Sequence, residues 1–220
     1  MFEAIAQEHP WPDMSEVVKT PRTPFAIDGG GRDMLVDFIR EQQCETMLEV
    51  GSFLCGSTRY WLENCPGLKI IAVDVWNQVI PGVIKRYRSD YPQWLKTCTS
   101  RENLDQIAEK LERFEVEAVA LQEVEEFRDR VVPIKGDLFE VYDYLQKKRF
   151  QPDIVYLDAG KERAEFEGAH RAFPNSILSG DDWSWKDSDG RYVVREHVDA
   201  IARLRKASYT AKYATWIINP

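Results

Sequence analysis

Short apolar segments that end in acidic residues recur along this chain and alternate with segments of helical periodicity. The acidic residues at these ends are, in chain order, Glu49, Asp74, Asp137, Asp158, Asp181 and Asp182. Short buried strands that alternate with helices predict an α/β fold with a mostly parallel sheet and right-handed crossovers. Ligands of such sheets bind at the carboxyl ends of the strands, so we expect these acidic residues to border one site.

The apolar pattern also predicts the individual elements. Strands are predicted at 46–50, 68–73, 131–134, 153–157 and 176–178, followed by a closing hairpin of two strands at 209–213 and 214–218. Helices are predicted at 56–64, 138–147, 162–173 and 191–206. The segment 81–130 is helical and strongly charged, which is typical of helices that cover a sheet. A lid or a dimer contact is the alternative for this segment.

The amino-terminal segment differs from the rest of the chain. Residues 9–24 include Pro10, Pro12, Pro21 and Pro24. Proline lacks the backbone N–H and restricts its neighbour, so this segment is predicted to be an arm on the surface. The triplet Gly29 to Gly31 is predicted to be a flexible joint. We therefore divide the chain into an arm at 1–31 and one domain at 32–220.

Composition and charge exclude several classes of protein. The net charge of −8 and the low pI of about 5.1 argue against nucleic acid as a partner, since phosphate binding requires a basic surface. Four unpaired cysteines indicate a reduced, intracellular protein, and three histidines are too few for a histidine-rich metal site. No signal peptide or membrane-spanning run is evident. We expect a cytoplasmic protein with a small-molecule or protein substrate, and a homo-oligomer is compatible with the sequence.

A glycine-containing loop follows the first predicted strand. Gly51 and Gly56 lie where the strand turns into a helix, so backbone N–H groups can approach a ligand closely. Phe53 occupies a position where dinucleotide-binding loops carry glycine, which favours a ribose without a pyrophosphate. Asp74, at the end of the second strand, is placed to accept hydrogen bonds from ribose hydroxyls. The alternatives are simple turn geometry for the loop and a helix cap for Asp74.

The ordered set of motifs resembles a known family. Class I S-adenosylmethionine-dependent methyltransferases carry successive motifs similar to Glu49-x-Gly51-x-x-x-x-Gly56-Ser-Thr, Val73-Asp74-x-Trp76, Arg130-Val-Val-Pro-Ile-x-Gly-Asp137 and Pro152-Asp-x-Val-Tyr-x-Asp158-Ala. Gly180-Asp181-Asp182-Trp183 resembles the metal-dependent small-molecule O-methyltransferases of the macrocin type. The resemblance covers residues 46–218 and implies a Rossmann-like fold with a seven-stranded sheet and helices on both faces.

The resemblance implies a set of cofactor-binding residues. Glu49 and Gly51 would line the methionine end, Asp74 would hold the ribose, and Asp137 with Leu138 would border the adenine. The full implied set is Glu49, Gly51, Ser52, Gly56, Ser57, Asp74, Val75, Trp76, Asp137, Leu138 and Asp158. Cys55 stands where such loops often carry glycine.

Three carboxylates are expected to converge beside the cofactor. Asp158 ends the fourth strand and Asp181-Asp182 follow the fifth, and these strands are neighbours in the usual order of this fold. Like charges so close repel unless a cation neutralises them, and an all-oxygen set suits Mg²⁺ or Mn²⁺. All three aspartates are therefore predicted metal ligands. Taken alone, the doublet is also typical of a solvated turn that caps a helix.

The segment Asp158-Ala-Gly-Lys161 resembles catechol and caffeoyl-type O-methyltransferases, in which the lysine is the general base, whereas macrocin-type relatives usually carry histidine near this position. The resemblance implies catalytic roles for Lys161 and Asp158. A lysine can act as base only if burial or a nearby cation lowers its pKa toward the working pH. Alternatively Lys161 is solvated or paired with Glu162 or Glu165, and His170 is the reserve base.

The resulting hypothesis is an S-adenosylmethionine-dependent, Mg²⁺-dependent O-methyltransferase that acts on a hydroxyl of a sugar, natural product or catechol-like small molecule. Trp76, Trp183 and Trp185 are expected to offer aromatic faces to the acceptor or to the sulfonium cation. Two alternatives are a nicotinamide-dependent oxidoreductase, against which Phe53 and the acidic set count, and a non-catalytic cofactor-binding scaffold.

Overall fold

The computed structural model describes residues 1–25 and 29–219, and a seven-stranded sheet organises them. Its strands are β1 (Thr46–Val50), β2 (Lys69–Asp74), β3 (Val131–Lys135), β4 (Ile154–Leu157), β5 (Ile177–Gly180), β6 (Tyr209–Lys212) and β7 (Thr215–Ile218). The strand order is β3-β2-β1-β4-β5-β7-β6. Strands β1 to β5 pair in parallel, whereas β7 is antiparallel to both β5 and β6. The predicted fold, including the closing hairpin, is confirmed.

Helices cover both faces of the sheet. They are α1 (Phe2–Glu8), α2 (Gly29–Glu41), α3 (Gly56–Asn64), α4 (Val79–Asp90), α5 (Leu95–Cys98), α6 (Arg101–Arg113), α7 (Val116–Leu121), α8 (Leu138–Lys147), α9 (Arg163–Ala172) and α10 (Val193–Arg205). The elements predicted from periodicity start and end within two residues of these bounds. Among the described residues, no helix is both long and apolar enough to span a lipid bilayer.

Two hydrophobic cores form because successive strand residues point to opposite faces. Met47 packs with α2, α3 and the helices between β2 and β3, whereas its neighbour Leu48 packs with α1, α8, α9 and α10. Both side chains are fully buried. A strand buried on both faces has few polar residues, which explains the continuous apolar runs in the sequence. Charged residues are consequently concentrated toward the strand ends, where the candidate site lies.

The amino-terminal segment is attached to the domain through buried side chains. Residues 2–8 form helix α1, and the indole N–H of Trp11 donates to the carbonyl of Val131 at 3.1 Å. Met14 and Val17 lie in the same core as α2 and α3. Residues 26–28 of the predicted arm lie outside the described residues.

The prediction of a flexible joint at Gly29 to Gly31 is wrong, because helix α2 begins at Gly29. A Cβ at Gly31 would lie 2.6 Å from the carbonyl oxygen of Lys212, so this glycine lets α2 pack closely against the β6–β7 hairpin. Close approach of two backbones, and not flexibility, explains the glycine at this position.

Candidate functional site

The loop between β1 and α3 lies directly against the end of β4. Gly51 has a φ of +89°, and its N–H donates to the carbonyl of Val73 at 2.8 Å. A Cβ at Gly51 would lie 2.3 Å from the carbonyl oxygen of Asp158. Both the left-handed conformation and the close approach require glycine. The structure therefore brings the glycine loop and Asp158 together at the carboxyl edge of the sheet.

Two further residues of this loop have left-handed backbone conformations. Phe53 has a φ of +49° and Cys55 a φ of +57°, and Cys55 is fully buried in front of α3. Such conformations cost non-glycine residues of the order of 1 kcal/mol each and cluster at ligand sites. Cys55 thus adopts the backbone conformation that glycine would adopt at this position.

Asp74 and Trp76 brace the loop from β2. The Asp74 carboxylate accepts the N–H groups of Phe53 and Trp76, both at 2.9 Å, one on each oxygen. The indole N–H of Trp76 donates to the carbonyl of Phe53 at 2.9 Å, and its side chain is buried. Trp76 therefore offers no aromatic face to a ligand, and the expectation that it would is wrong. Burial raises the pKa of Asp74 above its ordinary value.

Glu49 lies beneath the loop and is almost completely buried. One of its carboxylate oxygens accepts the hydroxyl of Thr58 at 2.5 Å and that of Ser52 at 3.1 Å. Burial raises the pKa of Glu49 to about 7, although both hydroxyl hydrogen bonds act in the opposite direction. Glu49 thus changes charge near neutral pH, in contact with the first turn of α3.

Replacing Glu49 by glutamine should stabilise the protein at alkaline pH. As pH rises from 4.5 to about 7 the unfolded chain releases this proton before the folded chain does, so the free energy of unfolding falls across this interval. The shift corresponds to at most about 3 kcal/mol. Glu49→Gln should therefore unfold at a higher temperature than the wild type at pH 8 and at a similar temperature near pH 4. Thermal unfolding between pH 4 and pH 8 measures these temperatures, and Glu112→Gln, at an exposed position, is the control. Equal changes in both variants would contradict the raised pKa of Glu49.

A buried arginine lies between two of the predicted metal ligands. Arg32 on α2 is 9% exposed, and its Nη2 is 2.8 Å from Oδ2 of Asp181 and 3.7 Å from Oδ2 of Asp158. Its Nε–H donates to the hydroxyl oxygen of Ser57 at 3.3 Å. Asp158 and Asp181 do meet at the ends of β4 and β5. The positive group between these two carboxylates is the guanidinium of Arg32.

The third aspartate pairs with the predicted base. Lys161 Nζ lies 2.6 Å from Oδ2 of Asp182. Burial acts to lower the pKa of Lys161, but the carboxylates of Asp182, Asp158 and Asp181 more than offset it, and the pKa lies above that of a free lysine. The expected lowering of the pKa of Lys161 is therefore wrong for this arrangement. A protonated, paired lysine neutralises charge and does not accept a proton.

These pairings decide how well a divalent ion fits. Within the residues that the structure describes, no group of three or more histidine, cysteine or acidic side chains is arranged to hold a metal. The facing oxygens of Asp181 and Asp182 are bonded to Arg32 and Lys161. The other oxygen of Asp181 is buried and has no hydrogen-bond partner in the described part of the chain, but the Arg32 guanidinium lies within 4 Å of both Asp181 and Asp158, where an ion that bridges them would lie. The donor set as arranged does not fit the predicted metal.

The remaining predicted cofactor residues lie along the same edge. Asp137 caps α8 by accepting the N–H of Phe139 at 2.9 Å, and Leu138 is half-buried beside it. Gly56 is buried at the start of α3. Val75 follows Asp74 and is 46% exposed. These residues therefore lie at the ends of β2 and β3 and at the start of α3, along one edge of the sheet.

His170, the reserve base, lies away from this edge. Its Nδ1 accepts Nε of Arg205 at 3.1 Å, and the same arginine binds the carbonyl of Ser176. Ser176 precedes β5, whereas Asp181 follows it, so His170 lies toward the opposite end of the strand. The suggestion that His170 could replace Lys161 as base is wrong on this geometry.

Aromatic residues border the acidic cluster. Trp185 is 40% exposed, and Nζ of Lys161 lies 5.6 Å from the centre of its ring. Trp183 is partly buried and packs against Tyr209 with ring centres 5.3 Å apart. Burial raises the pKa of Tyr87 on helix α4, which is half-buried. The exposed ring of Trp185 is therefore the aromatic face that borders the acidic cluster.

Sequence reasoning missed two residues of this site. Arg32 is separated from Asp181 by 149 positions and follows three glycines, so no local pattern marks it. Thr58 ends the motif that begins at Glu49, where no role is predicted for it, and its hydroxyl donates to the Glu49 carboxylate. The only available signal for Arg32 was the excess of acidic residues at the strand ends, which requires positive charge from some source.

Solved structures of similar fold are methyltransferases. The chain is similar to an O-methyltransferase from Bacillus cereus in complex with SAH, with a TM-score of 0.54 and 15% identity, covering 100% of both chains. It is also similar to the O-methyltransferase TomG from Streptomyces achromogenes, involved in tomaymycin synthesis and in complex with SAM, with a TM-score of 0.53 and 14% identity over 99% of this chain and 87% of that one.

A third similar structure is the SAH-bound methyltransferase PaMTH1 from Podospora anserina, with a TM-score of 0.51 and 13% identity over 99% of this chain and 92% of that one. No family model and no curated protein sequence matches the chain. At these identities the likeness establishes the fold, which is the Rossmann-like fold of class I methyltransferases. It does not favour the oxidoreductase alternative.

Proposed function

We propose that this protein is an S-adenosylmethionine-dependent O-methyltransferase that acts on a hydroxyl group of a small molecule. The observation that carries the proposal is the arrangement at the ends of β1 and β2. There the glycine loop packs against the end of β4 and the Asp74 carboxylate lies at the loop, an arrangement that suits a nucleoside. The similar solved structures that are complexes with SAH or SAM support the same cofactor.

The adenosine would extend along the sheet edge from β2 toward β3. Asp74 would accept hydrogen bonds from the ribose hydroxyls on the lone pairs that Phe53 and Trp76 leave free. Val75 and the Asp137-Leu138 pair would border the ribose and adenine. Glu49, Gly51, Ser52, Gly56 and Ser57 would surround the methionine portion, and the Glu49 carboxylate would attract its ammonium group.

The acceptor would bind above Asp158, beside the Lys161–Trp185 pair. Its oxygen attacks the methyl carbon of the sulfonium, the carbon–sulfur bond breaks, and the electron pair remains on the sulfur of S-adenosylhomocysteine. We assign Asp158 as the group that receives the hydroxyl proton, because it lies at the end of β4 against the glycine loop. Alignment of the three reacting atoms supplies much of the rate. Sugars, natural products and catechol-like phenols all remain acceptor classes of this proposal.

Calorimetry and an acceptor screen test the proposal. We expect S-adenosylhomocysteine to bind with micromolar affinity, on the order of 10 µM, and NAD⁺ not to bind. Mass spectrometry should then detect methyl transfer to a member of a panel of sugars, phenols and catechols. Asp158→Asn should retain cofactor binding and lose most of the transfer. Binding of NAD⁺ in preference to S-adenosylhomocysteine would support the oxidoreductase instead, and binding without transfer would support the scaffold.

A further inference from the structure

The positive charge at the acceptor side of the candidate site is supplied by the chain itself. Arg32 and Lys161 pair with the three aspartates that a divalent ion would need, at 2.8 Å for Asp181 and 2.6 Å for Asp182. The Arg32 side chain is buried, with 10% of its surface exposed, and that of Lys161 is partly exposed, at 30%. The cluster is therefore neutralised largely within the folded protein.

The arginine is held on more than one side. Its Nη2 donates to Asp181, its Nε contacts the hydroxyl of Ser57, and Asp158 lies 3.7 Å away. Ser57 belongs to the first turn of α3, and Asp158 and Asp181 end two neighbouring strands. A guanidinium remains charged at any physiological pH and presents its donors in a fixed plane, so it orients carboxylates as a bound ion would. Arg32 thereby connects the glycine-loop helix to both strand ends.

We infer that Arg32 takes the place of a divalent metal ion in this site and that the protein does not require one. The inference concerns the site of the proposed function and rests on that proposal only in the claim that methyl transfer to the acceptor needs no metal. Arg32 is a positioning residue: it fixes Asp158 and Asp181 and compensates their charge. A metal could enter only by displacing a buried guanidinium, which would leave that cation without its partners.

Removing the arginine should convert the cluster into a metal site. Arg32→Met keeps an unbranched apolar side chain as far as the position of the arginine Nε but leaves Asp158 and Asp181 with no positive charge between them. Oxygen ligands with uncompensated negative charge bind Mn²⁺ and Mg²⁺ more tightly. Arg40→Met is the matched control, because Arg40 lies on the same helix, is exposed, and binds only the carbonyl of Asn64 in the described structure.

In the experiment each full-length protein is titrated with Mn²⁺ alone, and the free ion is measured by its electron paramagnetic resonance signal. The wild type and Arg40→Met should bind no more tightly than about 1 mM, and Arg32→Met at least about tenfold more tightly. Wild-type binding well below 0.1 mM, on the order of a true site, would overturn the inference. So would a folded Arg32→Met that binds no better than the control.

Two further measurements keep the test decisive. If Arg32→Met does not fold, Arg32→Lys replaces it: it keeps the charge and should bind Mn²⁺ as weakly as the wild type, and tight binding by either protein overturns the inference. Calorimetry with S-adenosylhomocysteine in EDTA is done in parallel. If the wild type does not bind S-adenosylhomocysteine with or without Mn²⁺, the proposed function is refuted and the Mn²⁺ titration still tests the inference. If the wild type loses binding in EDTA and regains it when Mn²⁺ is added, the inference alone is overturned.

Discussion

Gly51→Ala should abolish cofactor binding and destabilise the protein. The new Cβ would lie 2.3 Å from the carbonyl oxygen of Asp158 and 2.8 Å from the backbone nitrogen of Ala159, so β4 or the loop must move. The left-handed φ of +89° adds strain for any residue with a side chain. We expect a loss of roughly 3 kcal/mol or more in the free energy of unfolding, and a loss of at least about 100-fold in affinity for S-adenosylhomocysteine.

Denaturant unfolding and calorimetry measure both effects. Gly67→Ala is the control, because nothing lies within 4 Å of a Cβ at that position and its φ is not in the left-handed region. The control should leave affinity unchanged. Wild-type affinity in Gly51→Ala would show that the loop does not hold the cofactor.

Asp74→Asn should produce the second large effect, again on the nucleoside. A carboxylate that accepts two ribose hydroxyls makes charge-assisted hydrogen bonds worth about 1.5–3 kcal/mol each. Both oxygens also accept backbone N–H groups, from Phe53 and Trp76, so the amide nitrogen of asparagine must face one of these donors. We expect affinity for S-adenosylhomocysteine to fall about 100-fold, with a smaller loss of stability.

Asp153→Asn separates binding from stability in this comparison. Asp153 likewise accepts backbone N–H groups, from Glu45 and Thr46, at 2.9 and 2.8 Å. It precedes β4 and thus lies at the opposite edge of the sheet from Asp74. Asp153→Asn should reduce thermal stability and leave cofactor affinity intact. A parallel loss of affinity in both variants would mean that Asp74 acts only through the fold.

The fold could be predicted almost completely from the sequence, and for a local reason. Strands covered by helices on both faces are apolar throughout, as Ile70 to Val73 illustrate, and the helices between them repeat their apolar residues every three or four positions. The amino-terminal segment and the glycine triplet were the exceptions. The segment buries Met14 and Val17 in the core. The helical start of the triplet depends on how closely α2 packs against Lys212 and Thr215, which lie at the far end of the chain.

The site could be predicted in part. Glu49, Asp74 and Asp158 lie at strand ends because the carboxyl ends of parallel strands share one edge, and a sequence shows where its strands end. The orientation of Trp76 could not be predicted in the same way. A left-handed turn after Asp74 directs its indole into the core, toward the carbonyl of Phe53.

By itself the sequence determined the order of strands and helices, the acidic residues at their ends and the glycine at the first turn, because each depends on neighbours within a few positions. Only the tertiary structure decided what neutralises Asp158, Asp181 and Asp182. Arg32 reaches them from a helix that precedes the sheet, and Lys161 turns toward Asp182. Electrostatic compensation depends on distance in space, and the same three carboxylates would suit a metal ion or an arginine until the fold places one of them within reach.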